Sequence, residues 1–159
     1  MVEVAHSLRV RAQLSRPAFS TRAIVDASFP DAVVTGHDLP VGVDEAVTRT
    51  DEGIVILYRR GLSSPEQRFA IAHAVGHLLY DHVTAKKVSE AFRERRADRF
   101  ASELLVPLYE LARVLEVLPS KNPDEQRIYL DHVDQLASYF NVPAMLVRSR
   151  IRDVVMSSH

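Results

Sequence analysis

The 159-residue sequence contains no cysteine and no tryptophan, and only 5 of its residues are glycine. Without cysteine the chain cannot form disulfides, bind zinc through thiolates or use a thiol nucleophile. Any metal ion must therefore be held by His, Asp or Glu. The absence of cysteine is also compatible with a reducing compartment, and we expect a cytoplasmic protein.

Long apolar runs and an excess of one charge sign are missing as well. No segment approaches the roughly 20 consecutive apolar residues of a membrane helix, and the start MVEVAHSLRVRAQLSRP lacks the apolar core of a secretory signal. The net charge is -1, so no global attraction to nucleic acid is expected, although residues 93–99 and 148–152 form local basic clusters. These features predict a soluble protein that has no membrane partner.

The character of the chain changes near Ser63. Residues 32–61 are rich in valine and isoleucine and contain the turn sequence Thr50-Asp51-Glu52-Gly53, which predicts a small antiparallel sheet of about three strands. Capping residues and prolines then delimit a series of helices. We predict an α+β fold with the sheet early and the helices late. We divide the chain into a domain of residues 1–118 and a helical C-terminal module of residues 119–159.

The predicted helices have recognisable ends, whereas the first residues show no clear element. The first long helix is expected from about Pro65 to about His82, and Asn141 is the expected left-handed stop of a later one. The predicted helix starts are Ser20, Ser64 with Gln67 completing a capping box, Ser89, Asn122 with Pro123, and Pro143.

The segment QRFAIAHAVGHLLYDH, residues 67–82, places His73 and His77 four residues apart in an apolar run. On a helix these side chains lie one turn apart and can offer two imidazole nitrogens to one ion. Histidines that only pack in a core can show the same spacing, so spacing alone does not decide. Gly76 costs about 1 kcal/mol relative to alanine inside a helix, which indicates close approach of another element. Glu94 is a candidate third ligand, although a glutamate beside arginines is also typical of a solvated helix face.

Two extended motifs resemble those of the ImmA/IrrE family of zinc metallopeptidases. The first family motif, RF-x-x-AHE-x-GH-x-LL-x-H, is matched by Arg68-Phe69, Ala72-His73, Gly76-His77, Leu78-Leu79 and His82. The second, E-x-x-A-[DN]-x-FA-x-x-LL-x-P, is matched by Glu94, Ala97-Asp98, Phe100-Ala101, Leu104-Leu105 and Pro107. The resemblance runs from about Phe19 to the C-terminus.

The resemblance implies a zincin-type metal helix of the HExxH kind and one Zn²⁺ held by His73, His77 and Glu94. It also implies a substrate: family members typically cleave a helix-turn-helix repressor of the XRE type. That cleavage switches on stress genes or a mobile element. The implied activity is therefore that of a zinc endopeptidase in transcription regulation.

One position departs from the family motif, because Ala74 stands where the family has the general-base glutamate. In a zincin that glutamate takes a proton from the metal-bound water and passes it to the leaving amine. Such proton transfer raises the reaction rate by about 10²- to 10⁴-fold. The chain is therefore expected to keep the metal and lose nearly all turnover. Ala74 is either an engineered inactivation or natural in a relative that binds without cutting. We favour engineering because all three implied ligands are retained, and we expect Ala74→Glu to restore cleavage.

Two further segments leave alternatives open. Residues 52–61, EGIVILYRRG, are either an edge strand that aligns a substrate backbone or a core strand. Residues 134–153 are either a helix-turn-helix whose Arg148, Arg150 and Arg152 contact phosphates or a helical pair packed against the first domain. We favour packing, because the arginines are few, and direct DNA binding is the less favoured alternative.

Overall fold

The structure, a computed structural model, describes residues 2–14, 16–80, 89–117 and 132–157. Within these ranges the chain is α+β, as predicted, with seven helices and three strands. The elements are α1 (Val2–Arg11), α2 (Thr21–Ser28), β1 (Val33–His37), β2 (Glu45–Thr50), β3 (Gly53–Arg59), α3 (Ser64–Leu79), α4 (Glu90–Leu105), α5 (Leu108–Glu116), α6 (Val133–Phe140) and α7 (Ala144–Ser157). None of the described helices is long and apolar enough to cross a membrane.

The three strands form one sheet in the order β1-β3-β2. The predicted turn joins β2 to β3, which pair antiparallel. In contrast to the prediction, the sheet is mixed rather than antiparallel throughout, because β1 runs parallel to β3 with Val33 opposite Val55. The reason is topological: β3 returns between the two earlier strands instead of adding at an edge. The segment 52–61 therefore supplies the central strand, with Ile56 fully buried, and β2 is an edge.

Helix α3 carries the two histidines and begins with a capping box. Its N-cap is Ser63, one residue before the predicted cap, and the box partner is Glu66 rather than Gln67. The Ser63 backbone N–H and hydroxyl both donate to Glu66 Oε2, at 2.8 and 2.7 Å. These hydrogen bonds lower the pKa of Glu66. The helix ends at Leu79, and the predicted end at His82 lies outside the described residues.

The N-terminal residues form α1, which the sequence patterns do not predict. Ala5 and Leu8 lie in the same buried cluster as the apolar residues of α3 and α4. Arg9 donates to the backbone oxygen of Leu104 at 2.9 Å and to Glu110 Oε2 at 2.8 Å. This helix is stabilised by tertiary contacts more than by its own pattern, because its apolar stripe is short.

The C-terminal helices α6 and α7 are joined by a turn in which Asn141 has φ 51°, the predicted left-handed stop. They pack against the helices before them. Arg150 is buried, pairs with Glu103 of α4 and donates through Nε to Val106 O at 2.9 Å. Arg68 of α3 donates to Asn141 O at 2.9 Å. Arg150 is therefore not available to a phosphate.

Two predicted boundaries cannot be placed on this structure. The start of a helix at Asn122-Pro123 and the division between residues 118 and 119 both lie outside the described residues.

Candidate metal centre

The two histidines lie side by side on the buried face of α3. His73 is 7% exposed and His77 is 8% exposed, and their Nε2 atoms are 2.8 Å apart. Helix α3 packs against β2, β3 and α4. Two nitrogens that converge in this way present adjacent donors for a single ion.

Gly76, one residue before His77, permits the close packing of α3 on α4. A Cβ atom at this position would lie 3.1 Å from Ala97 Cα and 3.1 Å from Phe100 Cδ1. Real Cβ atoms rarely come so close to backbone, so a larger residue would push α4 away. The predicted close approach at Gly76 is confirmed, and it brings the first turns of α4 to the histidines.

Glu94 of α4 faces both imidazoles. Its Oε2 lies 3.2 Å from His73 Nε2, and its Oε1 lies 3.4 Å from His77 Nε2. Two ligands of a tetrahedral zinc ion at about 2.0 to 2.1 Å from the metal stand about 3.4 Å apart. The structure thus brings together the three residues that the family resemblance implies as ligands. The two carboxylate–imidazole distances are close to this value, and the Nε2–Nε2 distance of 2.8 Å is shorter.

Asp98 stands one turn after Glu94 and orients His73. His73 Nδ1 lies 2.9 Å from Asp98 Oδ1, so an N–H on Nδ1 donates to this carboxylate. That proton leaves the lone pair of His73 on Nε2, the nitrogen that faces Glu94 and His77. The sequence gives one signal for this role, because Asp98 follows Glu94 at the i+4 spacing that keeps both on one helix face.

Glu45, the first residue of β2, is a fourth member of the cluster that sequence reasoning missed. Its Oε1 lies 3.9 Å from His73 Nε2, and donor atoms of Glu45, His73 and His77 all lie within 4.8 Å of one another. Its Oε2 is buried and has no hydrogen-bond partner among the described residues. Nothing local in the sequence indicates this role, because the contact depends on how β2 packs on α3.

The buried setting shifts the pKa values of these groups in the metal-free protein. Burial raises the pKa of Glu45 to about 7, with His73 lowering it and with Glu94 and Asp44 raising it further. Burial alone lowers the pKa of His73, but the hydrogen bond to Asp98 and the charges of Glu45, Asp98 and Glu94 outweigh it, so the net shift is upward. The carboxylates around the imidazoles therefore favour a positive charge at this point.

These donors fit a divalent cation such as zinc. Imidazole nitrogen and carboxylate oxygen are common zinc ligands, and a carboxylate that holds the far nitrogen of a ligating histidine is a frequent accompaniment. The buried Glu45 oxygen without a partner is the kind of group that a bound cation would satisfy.

Ala74 is fully buried and belongs to the hydrophobic cluster. Its methyl group offers no proton acceptor at the position of the family glutamate. The part of the chain that the structure describes supplies carboxylates near the imidazoles only from β2 and α4, through Glu45, Glu94 and Asp98.

A cleft of about 560 Å³ opens beside His73. Gly42, Val43, Phe69, Ala70 and Pro143 contribute the uncharged part of its wall. Its acidic lining residues are Asp44, Glu45, Glu66, Glu90, Glu94 and Asp98, and no lysine or arginine is among the described residues that line it. The cleft is therefore electronegative and suited to cations or to basic segments of a polypeptide.

Comparison with known proteins supports the interpretation of these motifs. The sequence model of the family described as Peptidase M78, IrrE N-terminal-like domain, matches residues 29–152. A solved structure of a Mycobacterium tuberculosis transcriptional regulator has the same fold, with a TM-score of 0.67 and 19% identity over 92% of this chain and 44% of that chain. This chain thus spans less than half of that regulator. A search of curated proteins gives no match. The family match covers most of the chain, which therefore belongs to the IrrE N-terminal-like family, Peptidase M78.

Proposed function

We propose that this chain is a zinc-binding protein of the metalloendopeptidase type that acts on a cytoplasmic helix-turn-helix repressor of the XRE class. In the catalytic form, cleavage of the repressor would derepress stress or mobile-element genes. In the form described here, Ala74 leaves the protein able to bind the repressor without cutting it. The observation that carries this proposal is the convergence of His73, His77 and Glu94, with Asp98 holding the far nitrogen of His73.

The residues of the chain have separable roles toward the metal. His73, His77 and Glu94 would hold Zn²⁺, and Asp98 would fix the tautomer of His73. A bound zinc ion supplies Lewis-acid chemistry by polarising a carbonyl and acidifying a water. The missing part is a group at position 74 that takes and returns the proton.

The cleft supports a polypeptide as the partner. Strand β2 pairs only with β3 among the described strands, so its outer edge presents backbone groups beside the cleft. An extended peptide can add to such an edge through main-chain hydrogen bonds. The acidic lining favours a basic segment, and DNA-binding proteins are rich in lysine and arginine. The likeness to a transcriptional regulator also supports a role in gene control.

A second candidate is a naturally non-catalytic, metal-stabilised protein that regulates a repressor or DNA by binding alone. The fully buried Ala74 within an apolar cluster favours it. The two candidates agree that the present chain does not cut. They differ in whether a catalytic parent with Glu at position 74 exists.

The proposal is tested with the purified chain and any XRE-type repressor that is encoded beside its gene. We expect one zinc per chain by metal analysis, co-purification of the repressor, and an intact repressor after long incubation. His73→Ala should abolish zinc binding. A chain that binds no zinc after dialysis against it, or that cuts the repressor in a chelator-sensitive way, contradicts the proposal. Zinc binding without any repressor binding would favour a different partner.

A further inference from the structure

We propose that Glu45 is a fourth protein ligand of the metal, which closes the site and leaves no open position for a water. This inference rests on the proposed metal site of His73, His77 and Glu94. It assigns to the strand β2 a role that neither of the family motifs contains. It also makes the bound metal structural rather than catalytic.

The first argument is convergence from three elements. His73 and His77 come from α3, Glu94 reaches them from α4, and Glu45 reaches them from β2. The Glu45 Oε1 is 3.9 Å from His73 Nε2, and its carboxylate has an oxygen within 4.8 Å of the donor atom of His77. Three separate elements thus bring donor atoms to the imidazoles, as a four-ligand site requires.

The second argument is the burial of a carboxylate without partners. Only 17% of the Glu45 side chain is exposed, and Oε2 makes no hydrogen bond to the described residues. Burying such a group without compensation is costly, and a metal ion at the imidazoles would provide the compensation. Glu94, in contrast, is 49% exposed and already contacts both imidazoles.

The third argument is charge balance. Two neutral imidazoles and two carboxylates carry a total charge that a divalent cation neutralises. Without the cation, Glu45 and Glu94 face the same histidines and repel each other. With it, the ion and its four ligands together carry no net charge, which lowers the cost of burying the Glu45 carboxylate.

A closed site agrees with the loss of the general base. Catalytic zinc sites keep a position for water or substrate, whereas structural sites are filled by four protein ligands. A chain with Ala74 has no residue at that position to activate a water, so a closed site is compatible with the proposed binding without cleavage. A closed site and Ala74 together favour the second candidate above, a non-catalytic, metal-stabilised protein.

The test uses Co²⁺ in place of Zn²⁺, because its visible spectrum reports the coordination of the ion. The spectra of the parent, Glu45→Gln and Glu45→Ala are recorded with and without azide, a small ligand that enters open positions. Metal affinity is measured by competition with a chelator. Asp38→Asn is the matched control, because it removes one carboxylate charge outside the cleft, where the side chain is 80% exposed and paired with Arg60.

We expect the parent spectrum to be insensitive to azide, and the spectra of both Glu45 variants to change with it. We also expect zinc affinity to fall at least about 10-fold in both Glu45 variants and to change little in Asp38→Asn. Azide binding to the parent, or unchanged affinity in Glu45→Gln, overturns the inference while leaving the three-ligand site intact. A parent that binds no metal overturns the site itself. If Glu45→Ala does not fold, the isosteric Gln variant decides.

Discussion

Asp98 accepts a hydrogen bond from His73 Nδ1 across 2.9 Å, and this contact determines which imidazole nitrogen faces Glu94. We predict that Asp98→Ala lowers zinc affinity by about 10- to 100-fold, because the imidazole loses its orientation and part of its basicity. Competition with a chromophoric chelator measures the change. Glu90→Ala, on the exposed start of the same helix, is the control and should have little effect. Equal losses in both variants would mean that Asp98 acts only through the charge of the cleft.

The missing base can be supplied, but the site must also be opened. We predict that Ala74→Glu alone cuts the cognate repressor slowly, because it adds a carboxylate at a fully buried position while Glu45 still fills the site. Ala74→Glu combined with Glu45→Ala should cut about 10²-fold faster or more than the single variant, measured by gel or mass spectrometry.

Two controls accompany this prediction. Adding His73→Ala to the double variant must remove both metal and cleavage, and a chelator must silence it. If Ala74→Glu alone is as fast as the double variant, Glu45 does not close the site. If neither variant cuts a repressor that both variants bind, the cleft lacks other catalytic groups besides the general base.

Gly76→Ala should loosen the contact between α3 and α4. Alanine would by itself favour the helix by about 1 kcal/mol, but its Cβ would lie 3.1 Å from Ala97 Cα. We expect a net loss of about 1 to 3 kcal/mol in the free energy of unfolding, together with weaker zinc binding as Glu94 moves away. Denaturant titration measures the first effect. A variant with a higher free energy of unfolding than the parent would show that α4 can move away from α3 without loss of stability.

Glu45 should make the stability of the metal-free protein depend on pH. Burial raises its pKa from 4.5 to about 7, so between these values the folded state binds more protons than the unfolded state. Its contribution to stability is therefore favourable at low pH, declines as pH rises from 4.5 to about 7, and then levels off. The decline has an upper limit of about 3 kcal/mol.

The measurement compares the parent with Glu45→Gln in the presence of a chelator. The Tm of the Gln variant should exceed that of the parent by more at pH 8 than at pH 5. Saturating zinc should reverse the difference at pH 8, because the carboxylate then has its cation. A pH-independent difference would mean that Glu45 remains well solvated.

Arg150 should matter for folding rather than for DNA binding. It is buried against Glu103, so Arg150→Ala leaves a carboxylate without its partner and should cost about 3 to 5 kcal/mol. Arg148→Ala and Arg152→Ala, at exposed positions, should change stability by no more than about 0.5 kcal/mol. Thermal unfolding measures both. Strong DNA binding that weakens steeply with salt and is lost in the exposed pair would reverse the assignment of this module.

Local signals account for the parts of the fold that could be predicted. The capping residues near Ser63, the turn at Thr50 to Gly53 and the left-handed Asn141 each act within a few residues, so the sequence displays them directly. The parallel pairing of β1 depends on where a later strand inserts, and α1 depends on contacts made by Arg9 far along the chain. Neither the parallel pairing of β1 nor the formation of α1 can be predicted from a short stretch of sequence.

The candidate site divides in the same way. His73, His77 and Glu94 were accessible through spacing and family resemblance, and Asp98 could have been found from its position one turn after Glu94. Glu45 could not, because its place beside His73 results from the packing of a strand on a helix 28 residues later along the chain.

The anchoring of α1 has a consequence for the limits of the folding unit. The family match begins at residue 29, yet Ala5, Leu8 and Ile24 precede it and lie in the common core. A fragment trimmed to the matched residues would expose the apolar surface beneath α1 and α2, and would leave Glu110 without its arginine. The residues that match the family model are thus fewer than the residues that must fold together.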